Sequence, residues 1–163
     1  MFQINEVVVH YREGIAKIYD RVTINGTEYF LLKAKRGDDI SIYVPVEKAF
    51  SIIRPVMDKE NAIGILKYMK SMEVEFNANT KQRRDDFKRR LISGDIFDIA
   101  YLVKQLYLYE SADELPPKVK FGPVDFDILK NAQNMFLDEM SISLDHDRES
   151  VGPYLEKLMD EMD

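Results

Sequence analysis

The spacing of apolar residues changes near residue 55, and that change divides the chain. Before it, apolar side chains come in short runs or alternate with polar ones, the period of a strand. Val7-Val-Val-His-Tyr11 is a β-branched run closed by a turn at Arg12-Glu-Gly14. Ile15–Val22 alternates as a strand with one wet face would, and Asn25-Gly26 then predicts a tight type I′ hairpin. Tyr29–Ala34 follows, with a second turn expected over Arg36–Asp39. Ile40-Ser-Ile-Tyr-Val44 alternates up to Pro45, which cannot donate to a ladder, and Phe50–Ile53 is the candidate closing strand. About five short strands with tight turns predict a small β-barrel over residues 1–54, since closure removes exposed edges.

Beyond Pro55 the period lengthens to that of helices. Asp58 is placed to cap a helix over Lys59–Met72, and a polar connector at Asn77–Thr80 leads into a second. That second helix carries Phe87 and Leu91 as one apolar ridge and ends at Ser93-Gly94. Asp95 caps a helix over Ile96–Tyr109 whose only polar residues are Asp98, Lys104 and Gln105, so it should form the centre of the bundle. A loop is expected from Pro116-Pro117 to Gly122-Pro123. Leu129, Ala132, Phe136 and Met140 then mark a helix of about 20 residues, using the i, i+3, i+4 pattern. Val151, Tyr154, Leu155, Leu158, Met159 and Met162 form a packing stripe on the last one. The expectation is an α+β chain: the barrel, then an all-α bundle of about five helices over residues 55–163.

Composition removes several kinds of chemistry. There is no cysteine, hence no disulfide, thiolate ligand or Cys nucleophile, which suits a cytoplasmic protein. No apolar run reaches the roughly 18 residues of a membrane span, and the N-terminus lacks signal-peptide character. His10 lies in a strand run and His146 in an acidic turn, which makes neither a metal site nor a triad. Adjacent acids such as Asp38-Asp39 and Asp85-Asp86 diverge on a strand or helix. Phosphate-loop and hydrolase motifs are absent. A non-enzymatic protein without cofactor or metal is expected.

Charge adds one feature. Residues 1–111 carry 18 Lys/Arg against 16 Asp/Glu, while residues 112–163 carry 5 against 13. Within this acidic chain, Lys81–Arg90 holds six cations in ten residues. Such a helix is either a nucleic-acid contact or one half of an internal charge pairing. Asp85 precedes Arg89, and Asp86 precedes Arg90, by four residues, the favourable order for helix-surface pairs. That leaves Lys81, Arg83, Arg84 and Lys88 as candidates for phosphate contact, with Lys81, Arg84 and Lys88 on a stripe away from the apolar ridge.

Several stretches, in order, resemble the CarD-like family of bacterial regulators, whose N-terminal module also occurs in the transcription-repair coupling factor. They are Val7–Gly14, Ile40–Val46, Arg54-Pro-Val-Met57, Leu91-Ile-Ser-Gly-Asp95 leading into Ile99–Tyr107, and Phe136–Leu144. The resemblance covers essentially the whole chain. It implies a Tudor-like module that docks on the RNA polymerase β subunit through a strand edge. It further implies a helical half that contacts promoter DNA at the upstream edge of the melted bubble, without sequence specificity, and modulates open-complex stability. A cytoplasmic, nucleoid-associated monomer without cofactor is expected. Tyr43 and Pro45 match polymerase-facing positions, and Val22 and Leu31 match others.

The chain departs from the family at the opening of the basic helix. Relatives place a Trp wedge there, then a polar residue and two Arg, where this sequence has Thr80, Lys81, Gln82 and Arg83. The wedge and the first Arg are absent, Arg83 is retained, and Lys81 and Arg84 are extra. A family mid-strand Arg is Tyr43 here. Aromatic stacking on an unpaired base contributes about 1–3 kcal/mol, which Thr80 cannot supply. The cations can still hold phosphates, so Thr80, Lys81, Arg83, Arg84 and Lys88 form the expected DNA-facing set. Two other readings stand beside this one. One is a polymerase-binding protein whose basic helix is covered by its own acidic helices. The other is a Tudor-like peptide- or RNA-binding adaptor with an aromatic cage drawn from Tyr11, Tyr19, Tyr29 and Tyr43.

Overall fold

The structure, a computed structural model, describes residues 1–37, 39–111 and 119–162. It divides into two units, Met1–Met57 and Asp58–Asp163. The first holds, among its described residues, five strands: β1 (Val7–His10), β2 (Gly14–Ile24), β3 (Thr27–Ala34), β4 (Ser41–Pro45) and β5 (Ile53–Pro55). All neighbours are antiparallel, in the order β4-β3-β2-β1-β5. The expected hairpin forms at Asn25-Gly26, where both residues take positive φ (49° and 80°), the conformation a type I′ turn needs.

The strand period of two sorts these residues into faces. Ile18, Leu32 and Ile42 lie in register, as do Phe30 and Val44, and they point to a core completed by Phe2, Val8, Ala16, Ala49 and Ile53. The register between β2 and β3 slips at Ile18/Asp20, leaving Tyr19 as the bulged residue. Its hydroxyl hydrogen-bonds Ser41 Oγ, and Lys33 Nζ stands 5.3 Å from its ring centre.

Two details differ from the sequence expectation. Ala49–Ile52 is a short helix (α1), and Phe50 on it is exposed, so the last strand begins only at Ile53. That strand pairs with β1 rather than β4, so the sheet curls around its core without closing, and β4 and β5 remain its edges. The 3-10 turn Val46–Lys48 and α1 follow Pro45 directly, and they carry the chain away from β4.

Among its described residues the second unit holds five helices: α2 (Lys59–Ser71), α3 (Thr80–Ser93), α4 (Ile96–Ser111), α5 (Pro123–Ser143) and α6 (Val151–Glu161). Asp58 caps α2 by accepting from the Asn61 N–H at 2.8 Å. Such a cap contributes about 1 kcal/mol. Asn79 caps α3 in the same way through the Gln82 N–H, and Gly94 ends it in the left-handed conformation (φ 65°) that glycine adopts without steric cost. Asp95 Oδ1 accepts from the Phe97 N–H, as its position before α4 predicts.

α4 packs on α2, α3 and α5 and buries Ile99, Ala100, Leu102 and Leu106. Its polar residues are used internally: Gln105 Nε2 donates to Glu75 O at 2.6 Å, and Lys104 Nζ donates to the carbonyls of Met69 and Met72. Burial lowers the Lys104 pKa, while those carbonyls give its ammonium a seat at the negative end of α2. α6 buries Val151 and Leu155, bearing out its stripe as packing against α2 and α5. The turn expected at Arg36–Asp39 and the loop from Pro116 include residues 38 and 116–118, outside the described residues.

Candidate functional site

The outer face of the sheet is the first candidate surface. Tyr29 on β3 pairs with Val22 on β2 and Pro45 on β4. Two positions along, Leu31 pairs with Asp20 and Tyr43. Register partners share a face, so Val22, Leu31, Tyr43 and Pro45 stand together, opposite the side that carries Phe30 and Leu32. Tyr43 is 53% exposed, and its ring meets that of Tyr29 edge to face with centroids 6.1 Å apart. Leu31 is only 8% exposed, so it lies beneath this patch. Tyr29 was legible as a fifth member, because it precedes Leu31 by two residues in a strand.

β4 carries this patch on an edge strand, whose outward backbone groups have no neighbouring strand among the described residues. An apolar face beside an unpaired edge suits docking by an extended segment, with backbone bonds for affinity and side chains for specificity. The four tyrosines do not assemble into a cage. Tyr11 stacks on His10 at 5.0 Å, Tyr19 is engaged by Ser41 and Lys33, and only Tyr29 and Tyr43 meet.

The second candidate surface is α3, where the expectation for Arg83 needs correction. Arg83 is 3% exposed, and it grips the fully buried Asp125 of α5 through Nε (3.2 Å to Oδ1) and Nη2 (2.9 Å to Oδ2). Nη1 donates to Asn77 O at 2.9 Å, and the guanidinium carbon lies 5.3 Å from the Phe121 ring centre. Burial would raise the Asp125 pKa. The Arg83 bonds, the Gly122 N–H and the charges of Arg83 and Arg84 outweigh it and hold the carboxyl below its ordinary value. Arg83 is therefore a tie between α3 and α5, not a phosphate contact. The signal was present in the spacing: residues 83, 87 and 91 recur every four, so Arg83 shares the ridge of Phe87 and Leu91.

Internal pairing occupies other cations too. Asp86 takes both Arg89 (2.7 Å) and Arg90 (3.0 Å), so the expected Asp85–Arg89 pair is replaced by an i, i+3 pair to Asp86. Burial alone would raise the Asp86 pKa, but these two arginines hold it down. Arg90 also binds Asp98 at 2.8 Å and lies 3.7 Å over the Tyr101 ring. Arg84 is half-buried, with Nε 3.9 Å from Asp125 Oδ1. Lys81 and Lys88 are exposed and have no ion-pair partner among the described residues. Exposed Thr80 opens the helix beside Lys81.

Among the described residues no group of three or more His, Cys, Asp or Glu is arranged to hold a metal ion. His10 is a structural residue: its Nδ1 accepts the N–H groups of Arg12 and Glu13 at 3.1 and 3.2 Å. No described helix is long and apolar enough to cross a membrane.

The structure thus pairs a curled antiparallel sheet that carries apolar residues on its outer face with a helical bundle tied by internal ion pairs. Two family models match the chain along its length. One, described as CarD-like/TRCF RID domain, matches residues 2–57, and the other, described as CarD, C-terminal domain, matches residues 64–156. The chain belongs to the CarD-like family, and its β unit is the Tudor-like RID domain of that family. That family is one of non-enzymatic, RNA polymerase-interacting transcription regulators.

Proposed function

We propose that this protein regulates initiation by docking its β unit on the polymerase β subunit through the outer face and free edge of β4. Tyr43 and Pro45 make the contact, Val22 and Tyr29 extend it, and Leu31 holds Tyr43 from beneath. The single observation that carries this reading is the gathering of these residues on one face beside an unpaired edge strand, in an RID domain. Exposed aromatic anchors dominate interface energetics, so Tyr43→Ala should weaken capture of the β subunit by about 30-fold or more. Unchanged capture by that variant, or a pull-down with this protein, from cells where it is abundant, that recovers no β subunit, would sink the proposal.

The helical unit contributes a light, non-specific contact to promoter DNA through Thr80, Lys81, Lys88 and the outer end of Arg84, without an aromatic wedge. Two or three phosphates neutralised would give a log–log salt slope of only about −2 to −3. The internal pairing of Arg83, Arg89 and Arg90 favours a second reading, in which polymerase is bound and DNA is not touched. The double variant Lys81→Glu/Lys88→Glu separates the two. It weakens promoter complexes if the lysines touch phosphate and leaves them unaltered if they do not.

A further inference from the structure

A cleft of about 380 Å³ opens between the end of α2, the end of α3 and the start of α4. Neither candidate surface above uses it. Its apolar lining is Tyr68, Met72, Phe97 and Tyr101. Tyr68 and Phe97 are 47% and 49% exposed, with centroids 5.1 Å apart and planes at 85°, so one ring offers a face where the other offers an edge. Tyr68 and Phe97 are thus held against each other at the surface, whereas Phe87 and Phe121 are packed into the core of the same unit.

The charge around the cleft selects its occupant. Asp98 at the back is satisfied by Arg90 at 2.8 Å and by the Ser93 hydroxyl at 2.8 Å. Glu73 at the rim is exposed and has no hydrogen-bond or ion-pair partner among the described residues. The lining thus carries two carboxylates against one guanidinium, which repels the phosphates that accompany any nucleobase and attracts a cation. Aromatic faces attract cations as well, through the negative centre of the ring. The wall already shows this mode of recognition, for Arg90 lies over Tyr101 while its Nη1 donates to Asp98.

We propose that this cleft binds an arginine side chain presented by a protein partner, its guanidinium against Tyr68 and Phe97 and its charge met by Glu73. A planar, weakly hydrated guanidinium suits stacking better than a lysine ammonium does. The site is independent of the sheet face and of the DNA-facing lysines, so it gives the helical unit a protein contact of its own.

The test follows the ring resonances of Tyr68, Phe97 and Tyr101 in the full chain while acetyl-Leu-Arg-Leu-amide is added. The same peptide with citrulline, which keeps the shape and removes the charge, serves as control, and a short oligo-deoxythymidine is the nucleic-acid probe. Saturable shifts with the arginine peptide, weakened about fivefold or more by citrulline, support the proposal. Glu73→Gln and Phe97→Ala, both at exposed positions that leave the core intact, should each weaken the same shifts. Absence of saturable shifts, or equal binding of the citrulline peptide, overturns it. Shifts of these rings by the oligonucleotide overturn it as well, in favour of a base-stacking site.

Discussion

The two units treat their side chains in opposite ways. The β unit sets apolar side chains outward, with Tyr43, Val22 and Pro45 standing on the face turned from its core. The helical unit draws charge inward. Arg83 and Asp125 are 3% and 0% exposed, and Asp138, itself 3% exposed at its side chain, binds Arg148 at 2.7 Å. A sheet has two faces, and a single core covers only one, so the other is available for a partner. A helix in a bundle has one stripe facing its neighbours, and any charge on that stripe must find a counter-charge there. Surface hydrophobicity therefore marks a candidate surface in the first unit, whereas in the second the charge count overstates how many cations are left free.

The largest expected effect tests the inward charge. Arg83→Ala leaves the Asp125 carboxylate buried without its fork, and should cost about 3–5 kcal/mol in chemical denaturation of the helical unit. The double variant Arg83→Met/Asp125→Leu should recover part of that loss, since no charge is left stranded. Recovery stays incomplete because Asp125 also accepts the Gly122 N–H at 2.8 Å. A small effect of Arg83→Ala would mean that the arginine is not the tie described here.

Acid should separate the units by pH window. The buried imidazole of His10 has its pKa lowered, chiefly by burial, from an ordinary value of 6.5. Protonation is thus less favourable in the folded state. The resulting stability is full above about pH 6.5 and is lost as pH falls through the folded value, when Nδ1 can no longer accept its two N–H groups. The Asp125 carboxyl, lowered from 3.8, gives stability that is full above about pH 4 and lost on further acidification. Hydrogen exchange should show β1–β2 loosening at a higher pH than the α3–α5 contact, and His10→Gln should flatten only the first response. Loosening of both in one window would break the comparison.

Smaller effects are expected at the surface of α3. On the proposed DNA contact, Lys81→Ala and Lys88→Ala should each flatten the salt dependence of binding by about 0.9 in log–log slope, and an unchanged slope would favour the reading without DNA. Arg89→Ala, which removes an exposed partner of Asp86, should leave the unfolding midpoint nearly unchanged.

Much of the fold is written locally. The period of the apolar residues gave the strands and helices, Asn25-Gly26 the hairpin, and Asp58 and Asp95 the helix starts, because these depend on neighbours a few residues away. The face shared by Val22, Leu31 and Tyr43 was nearly legible, since alternation fixes the face of each residue within its own strand. Their register across strands was not, and the bulge at Tyr19 shifts it by one residue. Phe50 had the composition of a strand but lies in a helical turn, since the path from Pro45 to β5 depends on where β1 already sits.

Lys81–Arg90 marks the limit most clearly. The sequence alone determined a capped helix with an apolar ridge and six cations. Tertiary structure alone decided what those cations do, because Asp125 lies 42 residues from Arg83 and Asp98 lies on the next helix from Arg90. A charge's role depends on what stands opposite it, and the fold, through contacts distant in sequence, sets what stands there. Of the six, Lys81 and Lys88 remain in solvent without an ion-pair partner among the described residues.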